Sequence, residues 1–313
     1  SQMFGEMIGA FVVETWERLG RPAPFDLVEF GPGRGTLMAD LLRVARRVPA
    51  FYAAARLHLV ETSPRLRAKQ AATLAGEPLR PTWHDRLDTL PTGRPILVVA
   101  NEFFDALPIR QFEYRDRAWH ERVVGLDDNG DLTLGLGPTT LPAGTVPAEL
   151  GAPDEGAVLE VSPVGVEIMT ALARRVVADR GLLLALDYGY AGPAFGDTFQ
   201  AIRAHTHVST LGRPGEVDLT AHVDFTALAR AAARVGAATH GPVEQGDFLL
   251  SLGLAERAGR LGADKDEATR AEIVSQVTRL VAPEEMGTLF KVIAVTPPGI
   301  TPPGFTPRGR PAP

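Results

Sequence analysis

The sequence predicts an α/β protein built on a doubly wound, mostly parallel sheet, because short apolar runs alternate with amphipathic helical segments. Apolar runs lie at 25–30, 57–61 and 95–100, with a weaker strand at 82–84, and the first two are followed by helical stretches, the first of these at about 36–48. Strands that are buried on both faces of a parallel sheet typically have continuous apolar sequences of this kind. A further apolar run at 182–186 follows a helical stripe, as expected for continued strand–helix alternation. Asp224 is predicted to be the N-cap of a later helix.

Between residues 110 and 160 the pattern changes. Segments 111–114, 119–124 and 132–136 resemble antiparallel strands, and Asp128-Asn129-Gly130 is a turn signal between the last two. We therefore expect a β-rich insertion that leaves the main sheet.

The chain accordingly divides into four segments. The last of them is too rich in Pro and Gly to pack, which predicts a flexible tail. The expected segments are an N-terminal helix with the first half of the sheet at 1–109, the insertion at 110–160, the second half with a helical cover region at 161–296, and the tail at 297–313.

The composition is that of a globular protein and excludes several classes of function. Of the 313 residues, 45 % are hydrophobic and 22 % are charged, which are ordinary values. The net charge of −6 does not favour nucleic acid or an anionic membrane as the main partner. The absence of cysteine excludes disulfides, cysteine-ligated zinc and thiol catalysis. Neither a membrane-spanning run of roughly 18 apolar residues nor a secretory signal is found, so we expect a cytoplasmic protein without membrane insertion.

A glycine-rich loop stands where the first predicted strand turns into its helix. Its glycines are Gly31, Gly33 and Gly35, with Glu29 just ahead. A dinucleotide-binding G-x-G-x-x-G loop would place its third glycine at Thr36. A carboxylate at the loop opposes a phosphate but suits S-adenosylmethionine (SAM), which carries a cationic sulfonium and an amino group. The loop therefore predicts a SAM site at the carboxyl edge of the sheet.

Further cofactor contacts are expected where the next strands end. Glu61 follows the second strand, where a carboxylate accepts hydrogen bonds from both ribose hydroxyls. Asp85 follows the third strand and is a candidate acceptor for the adenine amino group. Thr62 and Asn101 complete the predicted cofactor set. The alternative is that Glu29, Glu61 and Asp85 are ordinary carboxylates at strand ends and in surface loops.

The chain contains several longer motifs, which are SQMFGE at the start, EFGPGRG at 29–35, NEFFDALP at 101–108, DYG at 187–189, DLTAHVDF at 218–225 and QGDFL at 245–249. Together they resemble the MidA-like family of class I SAM-dependent methyltransferases. This family includes the mitochondrial complex I assembly factor that acts as a protein arginine methyltransferase. The resemblance spans residues 1–291 and implies a Rossmann-like class I methyltransferase sheet, SAM as cofactor and, less directly, arginine as the methyl acceptor.

The chemistry of arginine methylation fits the NEFFDALP segment. A guanidinium is a poor nucleophile because its lone pairs are delocalised and its pKa is above about 12. Carboxylates that bind its far edge can orient it and draw positive charge from the reacting nitrogen. We therefore predict catalytic roles for Glu102 and Asp105, with an amide contact from Asn101. The alternative is that Asp105 caps a turn and Glu102 is a structural acceptor.

Four residues further along the chain are weaker substrate candidates. Asp187 and Tyr188 end the fifth strand, and Thr220 and His222 lie in the DLTAHVDF segment. Each of these has an alternative as a core, hinge or structural residue. The His205-Thr206-His207 segment has no supporting carboxylates, so no metal is expected.

The partner that the sequence favours is a protein substrate, with a respiratory complex I subunit as one candidate. Two other functions remain open, which are a SAM-binding assembly chaperone without turnover and a small-molecule methyltransferase. An NAD-dependent dehydrogenase is the most distant alternative. The mitochondrial matrix is the alternative location, and the sequence says nothing about the oligomeric state.

Overall fold

The computed structural model describes residues 1–142, 144–203 and 206–305. Its centre is an eight-stranded sheet that confirms the doubly wound α/β class. The parallel core has the spatial order β9 (Leu182–Tyr190), β4 (Ile96–Asn101), β1 (Phe25–Phe30), β2 (Ala55–Val60) and β3 (Thr82–His84). Two antiparallel strands extend the sheet beyond β9, and a short strand pairs with the end of β9. The other strands are β15 (Phe290–Thr296), β14 (Ala238–Glu244) and β13 (Val223–Asp224).

Helices cover both faces of this sheet. Alternate side chains of β4 point into two separate cores. Leu97 and Val99 pack with the helices of the first 54 residues, while Ile96 and Val98 pack with the helices at 163–178 and 225–233. None of the helices in the described part of the chain is long and apolar enough to cross a membrane. The helices are α1 (Gln2–Arg18), α2 (Thr36–Ala45), α3 (Pro49–Ala54), α4 (Pro64–Thr73), α5 (Pro163–Ala178), α6 (Phe225–Ala233), α7 (Gln245–Ser251), α8 (Leu254–Gly262), α9 (Glu267–Val281) and α10 (Met286–Leu289).

Four of the described helices, α4, α5, α6 and α9, begin at a residue whose side chain caps the first turn. Asp224 accepts a hydrogen bond from the Ala227 N–H at 2.9 Å, as predicted for the start of α6. Pro49 opens α3, so the helical stretch predicted at 36–48 ends instead at Ala45. The residue before a proline avoids helical geometry, which explains the break.

Two smaller sheets lie outside the central one. The first, the insertion sheet, occupies the segment where a β-rich insertion was predicted, and Phe112, Trp119 and Leu159 form its small core. Its antiparallel order is β7 (Leu132–Thr140), β6 (Ala118–Leu126), β5 (Arg110–Arg115) and β8 (Val158–Val161). The second was not predicted and consists of β11 (Thr206–Val208), β10 (Gln200–Arg203) and β12 (Asp218–Thr220).

The segment after β15 packs further than the sequence indicates. The Phe305 ring lies 5.3 Å from that of Phe248 and 6.2 Å from that of Phe11. The prediction of an unpacked tail from residue 297 is therefore wrong as far as Phe305. Ile300 and Phe305 pack against the core, and Pro302 and Pro303 between them are buried, so apolar contacts hold this Pro- and Gly-rich segment in place. Residues 306–313 of the predicted tail lie outside the described residues.

Candidate active site

The loop after β1 exposes its backbone to the carboxyl edge of the sheet. Gly31 and Gly33 have φ of +60° and +51°, a conformation that glycine adopts without strain. A Cβ atom at Gly33 would meet no other atom within 4 Å, so a ligand has open access to this part of the backbone. Gly35 differs, because a Cβ there would lie 3.3 Å from Cα of Gln70 in α4. The structure thus places Gly33 beside open space, Gly31 against the Phe103 ring, where a Cβ would lie 3.2 Å from a ring carbon, and Gly35 in a helix contact.

Glu29 lies near the end of β1 with its carboxyl group buried. Only 3 % of the residue is exposed, and Oε2 has no hydrogen-bond partner among the described residues. Burial raises the pKa of this carboxyl to about 8. Buried carboxylates normally have partners, so the site fits a ligand that brings a positive charge to the loop.

Glu61 is held at the end of β2 by two hydrogen bonds. Its Oε1 accepts from the Ser63 N–H at 2.8 Å, and its Oε2 accepts from Nε2 of Gln70 at 3.2 Å. The same Gln70 nitrogen donates to the Gly33 carbonyl at 2.9 Å, while its Oε1 accepts from the Trp83 indole at 2.8 Å. The fully buried Gln70 therefore joins the glycine loop to the carboxylate expected to hold the ribose.

Arg67 joins the ends of β2 and β3, as Gln70 joins the glycine loop to Glu61. Its guanidinium donates to the Glu61 carbonyl at 2.7 Å and to Oδ1 of Asp85 at 2.6 Å. The Asp85 side chain is 72 % exposed, so water screens this ion pair. The pair orients the Asp85 carboxylate but adds little to the stability of the fold. Neither Arg67 nor Gln70 was predicted from the sequence, because nothing in the polar pattern of α4 shows which of its side chains face the site.

Gly31, Glu61 and Asp85 border a cavity of about 800 Å³, called here the cofactor cavity, whereas Glu29 and Gly33 do not line it. Its lining combines carboxylates with apolar side chains, a combination that suits an adenosine. Asn101 does not line it, although Phe103 two residues later does. Among its lining residues are Gly31, Glu61, Thr62, Asp85, Leu87 and Phe103.

The segment after β4 borders three cavities in turn. Glu102 lines a groove of about 820 Å³, the polar groove, together with Asn101, Asp40 and Gln245. Phe103 lines the cofactor cavity. Asp105 lines a groove of about 400 Å³ against the insertion sheet, the insertion groove. The structure therefore does not bring Glu102 and Asp105 together as one fork, since they line different grooves.

Glu102 occupies a strained backbone position. Its φ is +49°, in the left-handed region that costs a non-glycine residue about 1 kcal/mol or more. The conformation is held by the Glu102 N–H, which donates to the Leu186 carbonyl at 2.9 Å. The side chain is exposed, and Nδ2 of Asn101 donates to its Oε1 at 3.2 Å. Such strain is typical of functional sites.

Asp187 has a role different from the predicted substrate contact. It is completely buried, and its Oδ2 accepts hydrogen bonds from the N–H groups of Phe103, Phe104 and Asp105 at 3.2, 3.0 and 3.2 Å. Burial and the nearby Asp105 charge raise the pKa of Asp187. Three backbone donors of an irregular segment need an acceptor, and Asp187 supplies it. The prediction is corrected accordingly, because Asp187 positions the segment and has no surface left for substrate.

The remaining substrate candidates are divided between two cavities. Thr220 lines the insertion groove with Asp105, whereas His222 lines a separate cavity of about 220 Å³. Asp105 is 6 % exposed, and burial raises its pKa while a hydrogen bond with Tyr188 lowers it. The Tyr188 hydroxyl also interacts with Thr220, and burial raises its pKa. The His222 ring packs edge-on against Tyr188 at 5.4 Å, and burial lowers its pKa. Their grouping makes a half-buried polar patch that is distinct from Glu102.

The described residues hold no cluster of three or more His, Asp or Glu side chains that could bind a metal ion. His205 of the His205–His207 segment lies outside the described residues.

The family is shown by comparison with known proteins. Residues 7–243 match a family described as "Putative S-adenosyl-L-methionine-dependent methyltransferase". The chain belongs to this methyltransferase family. The cofactor predicted from the loop, SAM, and the predicted enzyme class are both confirmed by this match.

Curated relatives of this methyltransferase cover most of its length. The zebrafish (Danio rerio) protein arginine methyltransferase NDUFAF7, mitochondrial, is 32 % identical over 94 % of this chain and 74 % of its own length. The Drosophila melanogaster homolog is 35 % identical over 95 % of this chain and 73 % of its own. The resemblance to the MidA-like family is thereby confirmed. Both relatives are named mitochondrial, so the comparisons do not support the predicted cytoplasmic location.

Solved structures agree with the methyltransferase fold. A Burkholderia thailandensis protein bound to S-adenosyl-homocysteine has a TM-score of 0.84 and 28 % identity, and the match covers 99 % of this chain and 80 % of that one. A second crystal structure from the same organism has a TM-score of 0.81 and 29 % identity, and covers 98 % of this chain and 82 % of that one.

Proposed function

We propose that this methyltransferase transfers the methyl group of SAM to a side-chain nitrogen of arginine in a protein. The observation that carries the proposal is the position of Glu102. This exposed carboxylate has a strained backbone, follows β4 directly and precedes Phe103, which lines the cofactor cavity. Relatives that are 32–35 % identical and are named protein arginine methyltransferases support it.

Within the proposed site, the cofactor residues divide by position. When bound, SAM supplies a methyl group that a nitrogen lone pair can attack, with the C–S bond breaking and S-adenosylhomocysteine as the leaving group. Glu61, already oriented by Ser63 and Gln70, is placed to accept the ribose hydroxyls, and Thr62 and Asp85 lie where the adenine is expected. The backbone at Gly33 leaves room for the amino-acid end of SAM, while Gly35 supports the loop from behind. A cationic ligand at the loop would favour the ionised form of the Glu29 carboxyl, whose pKa burial raises to about 8.

The acceptor chemistry is assigned to the polar groove. Methyl transfer is mainly a matter of positioning, because the nitrogen must lie in line with the departing bond. The Glu102 carboxylate can bind a guanidinium edge and draw charge away from the reacting nitrogen. Asn101 restrains Glu102 through its amide, which limits the carboxylate to fewer orientations. Asp105 acts from the neighbouring groove, where its charge interacts with that of Glu102.

For the partner, we propose a protein substrate, with a complex I subunit as the candidate that the family resemblance suggests. The names of the relatives favour the mitochondrial matrix over the cytoplasm as the location.

The proposal is tested by incubating the protein with methyl-labelled SAM and cell extract, and then locating the label by mass spectrometry. Glu102→Gln should bind SAM within about twofold of wild type, yet lose roughly a hundredfold in methyl transfer, because the amide cannot balance a guanidinium charge. Glu256→Gln, an exposed carboxylate on α8, is the matched control and should transfer normally.

Label found only on a metabolite would refute protein methylation, and label on lysine would refute the arginine assignment. Unchanged turnover in Glu102→Gln would remove that residue from the mechanism.

A further inference from the structure

One face of the hairpin formed by β6 and β7 is apolar and exposed. The strand register pairs Val124 with Leu134 and Leu126 with Leu132. Because alternate residues of a strand share a face, these four and Leu136 lie on the same side. Their exposed fractions range from 40 % at Leu132 to 70 % at Leu126. A contiguous aliphatic patch with this exposure is typical of an interaction surface.

The backbone beside this face is also free to pair. β7 is at the edge of the insertion sheet, so no strand of the described chain lies along its outer side. Residues 132–136 read Leu-Thr-Leu-Gly-Leu and include no charge. Edge strands are usually protected against pairing by charges, prolines or bulges. In β7 the proline, Pro138, and the irregular pairing with β6 lie beyond Leu136. An extended peptide can therefore add along residues 132–136 as a further strand.

The apolar face leads towards the proposed acceptor region. Val124 and Leu134 line the insertion groove, as do Leu219, Thr220 and Asp105. The groove thus extends from the hairpin to the segment that follows β4. At that end, Oδ1 of Asp105 is buried without a hydrogen-bond partner among the described residues.

Charge distinguishes one end of the groove from the other. Along its side, Arg110 pairs with Glu121 at 2.6 Å, and Arg122 pairs with Asp197 at 2.6 Å. Asp105 takes part in no ion pair with another described residue, and burial raises its pKa. A cationic side chain at this end would provide the countercharge that Asp105 lacks.

We infer that the insertion groove docks an extended, apolar segment of the methylated protein, with a cationic side chain of that segment, distinct from the acceptor arginine, at the Asp105 end. This inference rests on the proposed function and adds the surface by which the protein substrate is recognised. Side chains on one face of the segment contact the aliphatic hairpin face, while its backbone pairs with β7. A second copy of this chain fits less well, because the uncharged β7 segment it would present carries no cation for Asp105.

The test compares substitutions on the two faces of the same hairpin. The double variant Val124→Ser/Leu134→Ser changes the groove face, and Val123→Ser changes the opposite face, where Val123 is 40 % exposed. Initial rates of label transfer from methyl-labelled SAM are measured over a dilution series of extract protein. The double variant should lose about tenfold in rate in dilute extract and recover at high extract concentration. Its SAM affinity and the rates of Val123→Ser should match wild type.

Each other outcome has a definite meaning. Equal rates for the double variant and wild type in dilute extract would overturn the docking surface while leaving protein methylation intact. A wild-type protein that labels no protein would overturn the proposed function and the docking surface with it. A dimer in sedimentation velocity that is lost in the double variant would assign the face to a second copy instead.

Discussion

Gln70 joins three parts of the cofactor site through one side chain. Its amide nitrogen donates to the Gly33 carbonyl and the Glu61 carboxylate, and its amide oxygen accepts from Trp83. The indole has only a donor, so it determines which end of the amide faces the two acceptors. Because the residue is fully buried, water cannot replace these bonds.

We expect Gln70→Met to weaken SAM binding about tenfold, because a side chain of similar size keeps the packing but leaves Glu61 and the Gly33 carbonyl without their shared donor. Isothermal titration with SAM measures the effect. Trp83→Phe removes only the group that orients the amide and should weaken binding less. SAM affinity equal to wild type in Gln70→Met would show that Ser63 alone positions Glu61.

At the scale of elements, the segment after β4 takes its shape from a neighbouring strand. Asp187 near the carboxyl end of β9 accepts three successive N–H groups from residues 103–105. The Glu102 N–H donates to Leu186 in the same strand. Pairing of β4 with β9 brings these groups together. The geometry of the acceptor region therefore depends on strand β9, although no β9 residue need touch the methyl group.

Asp187→Asn tests this dependence. The amide keeps the size of the carboxyl but turns a donor towards the backbone N–H groups, so we expect a loss of about 1–3 kcal/mol in the free energy of unfolding. Methyl transfer should fall further than the stability explains, since Glu102 loses its fixed position. Urea unfolding and the labelled-methyl assay measure the two effects. Asp264→Asn, in the exposed turn after α8, is the control. Wild-type stability and turnover would contradict the role of Asp187.

For the whole molecule, the buried Glu29 carboxyl makes stability depend on pH. Burial raises its pKa from 4.5 to about 8 in the folded protein. A group with a raised folded pKa stabilises the fold below its unfolded pKa, and this contribution is lost as pH rises through the folded value. The free energy of unfolding of the cofactor-free protein therefore decreases as the pH rises from about 4.5 to 8.

We expect the free energy of unfolding of the cofactor-free protein to fall from pH 5 to pH 9, and Glu29→Gln to be less sensitive over this range. Urea unfolding of both proteins at pH 5, 7 and 9 provides the comparison. Because the difference between the two proteins isolates Glu29 from other titrating groups, a difference that does not change with pH would disprove the shifted titration.

The sequence by itself determined the parts of this protein that depend on neighbouring residues. Buried strands appear as apolar runs, which placed β1 at 25–30 and predicted the doubly wound sheet. The glycine loop and Glu61 could be located because carboxyl ends of parallel strands meet at one edge. Asp224 was recognised as a cap because a cap and its helix are adjacent in the chain.

Only the tertiary structure decided which of the candidate side chains share a cavity. Asp187 lies 82–84 residues from the backbone it holds, and Phe305 packs against a helix at the other end of the chain. Glu102 and Asp105 are three residues apart, yet an irregular segment places them in different grooves. Periodicity describes regular helices and strands, whereas long-range contacts and irregular backbone depend on the packing of the whole chain.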